Sequence, residues 1–457
     1  MKEMTDEPLQ TEKPREDSAR RRFSMHVAWT LLARILMTGN SVIAGVIVAR
    51  WLGAEGLGSL AVLNVTVATV VQLSSAGLPS SNTYFISRDR GNLAAAAFNS
   101  LLFALLTGGA LALLVTLLAM WQPAIFSSIS PRLVAVAAVS IPFQLITLLG
   151  LNIFLALGRV DRFNLLDLAG QSFVLVNAIV ALLLLSRGLW ALVSLNTAAS
   201  ILVGLVIVCL IGRQFASRKE TRPLRPSARL FGEMLRYGMK FHVSILAGIL
   251  IFRADLLVVN HYRGAAEAGV YAVASQVAMM LMLLPGVIAT LLFPRISAEQ
   301  DAGARLTCVV SRHTAFVMLI LCLLAVPASF VLPLLYGAGF NDVAVQLLIL
   351  LPGVYLIGIE SVLVQHFNAT GLPVAIPVFW TGTLVTNIAW TFALVPMYGA
   401  RGAAVASTAS YAMIFAMVAL YFNARTGRSF SEALLLRRSE VRELLTARRP
   451  RVSLRRA

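Results

Sequence analysis

The chain has 457 residues, 58% of them hydrophobic and 13% charged, with a formal net charge of +17. An ordinary soluble chain carries roughly 25% charged residues, so this composition excludes a single water-soluble globular protein. The positive charge does not indicate a nucleic-acid partner, because the Lys and Arg residues sit between and outside long apolar blocks.

About 22 polar residues precede the first apolar block. That block is too long for a signal peptide and lacks a small-residue cleavage site, so it is expected to remain as helix 1. The blocks predict membrane helices near 25–49, 57–81, 95–120, 133–156, 164–186, 189–212, 238–261, 267–292, 313–336, 343–366, 373–396 and 402–424. Each is long enough to cross about 30 Å of hydrocarbon. Strand alternation is absent, which excludes a spanning barrel. Prolines 142, 285, 327, 352 and 377 fall within the spans and are candidates for kinks or hinges.

Of 38 Lys and Arg residues, 31 fall on the side of the two termini and five (Arg50, Arg132, Arg187, Arg263 and Arg401) on the other. The positive-inside bias therefore puts both termini and the basic stretch 213–237 on the cytoplasmic side of an inner-membrane type of protein. The expected organisation is a basic arm (1–24), a six-helix lobe (25–212), a basic linker (213–237), a second six-helix lobe (238–424) and a basic tail (425–457). Within the tail, 430–447 reads either as an amphipathic helix on anionic lipid headgroups or as a disordered extension. Cys209, Cys308 and Cys322 lack C-x-x-C spacing, so neither a disulfide frame nor a metal site is expected.

A weak repeat supports two lobes. Gly58, Ala61 and Val62 map onto Gly269, Ala272 and Val273 at a spacing of 211, and Gly188, Thr197 and Ala198 map onto Gly399, Thr408 and Ala409. At 213, Ala156-Leu157-Gly158 pairs with Ala369-Thr370-Gly371. Six helices per half give both halves one orientation, so the fold class is an all-α membrane protein with pseudo-twofold symmetry along the membrane normal.

The segments ARWLGAEGLGSLAV (49–62), SSAGLPSSNTYFISR (74–88), LRYGMKFHVSILAGILIFRADLLVVNHYRGAAEAGVYAVA (235–274), GAGFNDVAVQLLILLPG (337–353), QHFNATGLP (365–373) and MYGARGAAVASTAS (397–410) carry a family likeness. Through them the chain resembles the polysaccharide transporters, or Wzx-type flippases, of the multidrug and oligosaccharidyl-lipid exporter superfamily. The resemblance covers helices 1–2 and 7–12, while helices 3–6 match only in pattern. It implies movement of a polyprenyl-diphosphate-linked oligosaccharide from the cytoplasmic to the outer leaflet by alternating access of two lobes. It also implies membrane lipids and other glycan-assembly proteins as partners.

A flippase makes no covalent bond, so no catalytic residue or bound cofactor is expected. The question is what grips a diphosphate at membrane depth. Arg34 and Arg253 lie inside spans, and an Arg there costs about 2.5–3.5 kcal/mol on insertion scales. Either they line a watery cavity and bind the diphosphate bidentately, or a buried carboxylate (Asp167, Asp255 or Glu360) neutralises each one and pins the helices. Asp255 and Glu360 are candidates for proton or sodium coupling. Asn387 and Thr408 either add oxygen ligands for sodium or bond neighbouring helices. His242 and His366, near span ends, read as interface residues, and Arg50, Arg88 and Arg90 as snorkelling anchors. The rival functions are a drug or organic-cation antiporter, a membrane polymerase or ligase, and a structural membrane protein. The short turns opposite the termini leave little room for a polymerase or ligase site.

Overall fold

The computed structural model describes residues 13–126, 129–217, 226–298, 300–371 and 373–435. The start of the basic arm, residues 218–225 of the linker and most of the amphipathic helix expected over 430–447 lie outside the described residues. The regular structure is helical: α1 (Lys13–Ser74), α2 (Leu78–Arg88), α3 (Leu93–Trp121), α4 (Pro131–Ala138), α5 (Ser140–Ala156), α6 (Val160–Ala178), α7 (Leu189–Ser217), α8 (Ala228–Arg263), α9 (Ala265–Leu281), α10 (Leu283–Ala298), α11 (Gln300–Ser329), α12 (Leu332–Tyr336), α13 (Val343–Ala369), α14 (Ala375–Thr426) and α15 (Phe430–Leu434). A π-helical turn, Ile179–Leu184, continues α6.

Among the described residues, ten runs are long and apolar enough to cross a membrane, and two are of double length: Trp29–Ser74 with 46 residues and Ala375–Thr426 with 52. Twenty helical residues cover about 30 Å, so each long run holds two crossings. They join at Gly53 (φ 67°, ψ −171°) and Gly399 (φ 61°, ψ −143°), where the left-handed backbone suits a residue without Cβ. The total is about twelve crossings, in agreement with the sequence. Leu105, Leu106, Leu113, Leu114 and Leu117 of α3 are exposed, as a lipid-facing surface requires. Trp51, Trp121 and Trp190 are exposed at or beside helix ends, where amphipathic rings settle at the headgroup level.

The structure sorts the prolines. Pro142, Pro285 and Pro377 are each the third residue of their helices, α5, α10 and α14. There the missing N–H sacrifices no intrahelical bond. Pro327 and Pro352 are interior, in α11 and α13.

The chain forms two compact units. The first takes residues up to Ile47, Ser74–Leu114 and Val136–Met239; the second takes Val48–Leu73, Val115–Ala135 and the residues from Lys240 onward.

In the first unit, α2 follows a break at Ala76 (φ 49°) and Gly77 (φ 71°) and crosses the start of α8. A Cβ on Gly77 would strike the Gly238 backbone, so only glycine permits this approach. Around it, Ser81 Oγ donates to the Met234 carbonyl (2.6 Å), and the Tyr84 and Tyr237 rings stack 4.4 Å apart. Asn99 and Ser227 exchange two hydrogen bonds, of 3.0 and 3.2 Å.

In the second unit, α13 is the central helix: Leu347, Val354, Ile359 and Val362 on it are fully buried. Gly353 meets the Thr408 backbone of α14, and Gly358 meets Met318 of α11, so glycines let both neighbours come close. Arg50 donates to the carbonyls of Leu334 and Leu335, capping α12. It is therefore a cap rather than only the snorkelling anchor the sequence suggests.

Candidate functional site

Two polar groups at membrane depth stand out, one in each unit. The first joins α1 to α6. Arg34 Nη2 lies 3.4 Å from Asp167 Oδ2, and their side chains are 48% and 17% exposed. On the same two helices, Asn164 Nδ2 donates to Thr30 Oγ1 (2.8 Å) and Asn40 Nδ2 to Ser172 Oγ (2.9 Å). In apolar surroundings such groups pair across helices because no water is present to satisfy them.

The second group centres on Asp255 of α8, which is 2% exposed. Its Oδ2 accepts from Ser407 Oγ of α14 (2.8 Å) and from the hydroxyl of Tyr271 on α9, while Oδ1 accepts from the Leu256 amide (2.8 Å). Three donors on one carboxylate are what a buried anion needs, each charged hydrogen bond contributing about 1.5–3 kcal/mol. Within α14, Asn387 Nδ2 donates to Ser410 Oγ (3.0 Å), joining the two halves of that helix. Thr383, Asn387 and Thr391 are all buried at a spacing of four, which makes one polar stripe. The hydroxyls of Thr383 and Thr391 have no hydrogen-bond partner among the described residues.

The expected site residues therefore distribute as follows. Arg34 belongs to the first unit, and Asp255, Glu360, Asn387, Thr408 and Arg253 to the second. Arg253 is exposed and has no ion-pair or hydrogen-bond partner among the described residues, whereas Asp255, two positions on, is buried. Helical geometry turns them to different sides, as the spacing predicts. Glu360 on α13 is 1% exposed, and its Oε1 has no partner among the described residues. Thr408 donates to the Ile349 carbonyl (2.6 Å), so it ties α14 to α13 and makes no hydrogen bond to Asp255. Its neighbour Ser407 takes that place.

Sequence reasoning missed Ser407 and Tyr271 on Asp255, the buried Ser410, Thr383 and Thr391 of α14, and the pairs flanking Arg34. The four-residue spacing of Thr383, Asn387 and Thr391 was an available signal. His242 meets the Leu73 backbone just before the break at Ala76, and Arg88 donates to the Tyr84 hydroxyl (2.8 Å).

Comparison with known proteins places the chain in a wider group. The family described as "Polysaccharide biosynthesis protein" matches residues 25–300. Two Haloferax volcanii proteins are similar in sequence. The probable low-salt glycan biosynthesis flippase Agl15 is 24% identical over 238 residues, 49% of this chain and 48% of its own length. The probable flippase AglR is 27% identical over 243 residues, 50% of this chain and 48% of its own length. The chain thus spans about half the length of the curated relatives it matches. Among solved structures, the lipid II flippase MurJ in an inward closed conformation aligns with a TM-score of 0.70 at 16% identity, over 90% of this chain and 89% of MurJ. An inward-facing multidrug resistance MATE family transporter of the MOP superfamily aligns with a TM-score of 0.69 at 15% identity, over 85% and 94%. These structural likenesses show a shared fold.

Proposed function

Because the chain belongs to the family of polysaccharide biosynthesis proteins, we propose that it is a flippase moving a polyprenyl-diphosphate-linked oligosaccharide across the membrane for cell-surface polysaccharide assembly. The partial matches to a probable low-salt glycan biosynthesis flippase and to a second probable flippase support this cargo class. The observation that carries the reading is the pair of exposed arginines inside apolar helices, Arg34 and Arg253. A guanidinium at that depth is expensive unless it meets an anion, and a diphosphate offers oxygens for bidentate hydrogen bonds.

In this reading the protein lies in the bacterial cytoplasmic membrane with both termini inside, as the charge bias favours. The basic linker 213–237 separates the lobes 25–212 and 238–424, which alternate access to the two leaflets. The first half supplies a cargo contact at Arg34, and the second offers another at Arg253. The second supplies ion coupling through Asp255 and Glu360, with Asn387 and Thr408 in the helices that frame them. Asp255 already accepts three hydrogen bonds, while Glu360 has an oxygen without a partner. Glu360 is thus the carboxyl whose surroundings change most when a cation or proton arrives. The work is binding and release, with no covalent step and no bound cofactor. Lipids and other glycan-assembly proteins are the expected partners.

Reconstitution tests the reading. Proteoliposomes holding a lipid-linked oligosaccharide should show protein-dependent exposure of the glycan in the opposite leaflet. Absence of exposure alongside uptake of cationic dyes would replace the flippase by an organic-cation antiporter.

A further inference from the structure

The Arg34–Asp167 ion pair sits between two neutral hydrogen bonds on the same helices, Thr30 with Asn164 and Asn40 with Ser172. The eight residues from Asn164 to Ser172 cover about 12 Å of helix, so the three pairs form one continuous seam. The neutral pairs hold α1 to α6 without any charge. An ion pair serving only to join these helices would be redundant, and an Arg inside a span costs about 2.5–3.5 kcal/mol on insertion scales.

The pair is also loose. At 3.4 Å it exceeds the roughly 2.7–2.9 Å of a good charge-assisted hydrogen bond. The other Arg34 side-chain contact is a weak one, Nη1 to the Met37 sulfur at 4.0 Å. A guanidinium carries five N–H donors, and this side chain is 48% exposed. Most of its donor capacity is open to an incoming oxyanion. Asp167, 17% exposed, sits where it would compete for that cation.

We propose that Asp167 is an exchangeable counter-ion, holding Arg34 while the transporter is empty, yielding it to the diphosphate of the cargo and reclaiming it on release. The proposal rests on reading Arg34 as a diphosphate-binding residue. A ligand that must displace an internal partner binds more weakly by the free energy of that partner. Asp167 thereby lowers cargo affinity and speeds departure, which a carrier needs on the far side. Asp167 is a positioning residue in this scheme, acting on cargo through Arg34.

The test is binding of farnesyl diphosphate, a soluble short polyprenyl diphosphate, to the purified full-length protein by titration calorimetry. Asp167→Asn should tighten binding about tenfold, or about 1.4 kcal/mol. Arg34→Ala should lose it, and the double variant should behave as Arg34→Ala. The unfolding temperature of Asp167→Asn should stay close to wild type because the neutral pairs remain; if that variant misfolds, Asp167→Ser serves in its place. Unchanged or weaker binding with Asp167→Asn, where Arg34→Ala loses binding, would overturn the counter-ion exchange and leave Asp167 as a scaffold for Arg34. Wild-type binding by Arg34→Ala would contradict the diphosphate reading of Arg34 itself, a separate failure that removes the proposal with it.

Discussion

Gly58 and Gly269 lie 211 residues apart in the sequence and against each other in space, each where a Cβ would run into the other segment's backbone. The contact is reciprocal. A Cβ on Gly58 would meet the Ala265 carbonyl, and one on Gly269 would meet the Ala54 carbonyl, again an offset of 211. Self-complementary contacts of this kind mark a twofold relation. The same offset joins two turn glycines of nearly one conformation, Gly53 (φ 67°, ψ −171°) and Gly264 (φ 83°, ψ 175°). At 213, Gly158 and Gly371 both have positive φ.

Symmetry makes the two substitutions equivalent. Gly58→Ala and Gly269→Ala should each destabilise the protein by about 1–3 kcal/mol through overpacking. Their effects should fall short of additive in the double variant, because both load one crossing. Thermal unfolding in detergent measures all three.

Ser407→Ala removes one of the three donors on Asp255 and leaves the others. A loss of about 1.5–3 kcal/mol follows if the carboxylate is charged. Thr408→Ala, one position away, frees only the Ile349 carbonyl and should cost less. Equal losses in a denaturation series would show that Asp255 does not draw on Ser407.

Glu360 gives the opposite sign. A buried carboxyl oxygen without a partner is a standing penalty, so Glu360→Leu should raise stability by about 1–3 kcal/mol. The same change should abolish ion-driven transport. A drop in unfolding temperature would mean that Glu360 holds the fold together.

Arg50→Ala uncovers the Leu334 and Leu335 carbonyls at the end of α12. The expected loss is about 1–3 kcal/mol, and Arg50→Lys should restore only part because an ammonium lacks the planar fork. Hydrogen exchange at residues 332–340 should rise in Arg50→Ala and leave α3 unaffected.

Much of the fold was legible because burial in lipid leaves long apolar blocks, and turns at their ends need glycine. The twelve crossings, the duplication and the opposite facings of Arg253 and Asp255 all followed from spacing. The helix break at Ala76–Gly77 falls inside the span expected over 57–81, because the apolar run carries through SSAGLP to the polar SSNT stretch that follows. Thr408 is the expected residue and Ser407 the one that bonds Asp255, because one residue on a helix is a turn of about 100°, and a sequence alone does not fix which face meets α8. The flanking pairs of the Arg34 seam were missed for a related reason: Thr30, Asn164, Asn40 and Ser172 are common polar residues whose meaning appears only when α1 lies along α6.

The central claim is a division of labour, with the cargo anion held at Arg34 and the driving ion handled at Glu360. The direct measurement is the rate at which a lipid-linked oligosaccharide reaches the opposite leaflet of proteoliposomes, with and without an imposed proton or sodium gradient, for wild type, Arg34→Ala and Glu360→Gln. The account predicts that Arg34→Ala loses transport under every condition, whereas Glu360→Gln keeps the slow ungradiented rate and loses only the acceleration. Gradient-accelerated transport at the wild-type rate in Arg34→Ala, or an intact gradient response in Glu360→Gln, would contradict it.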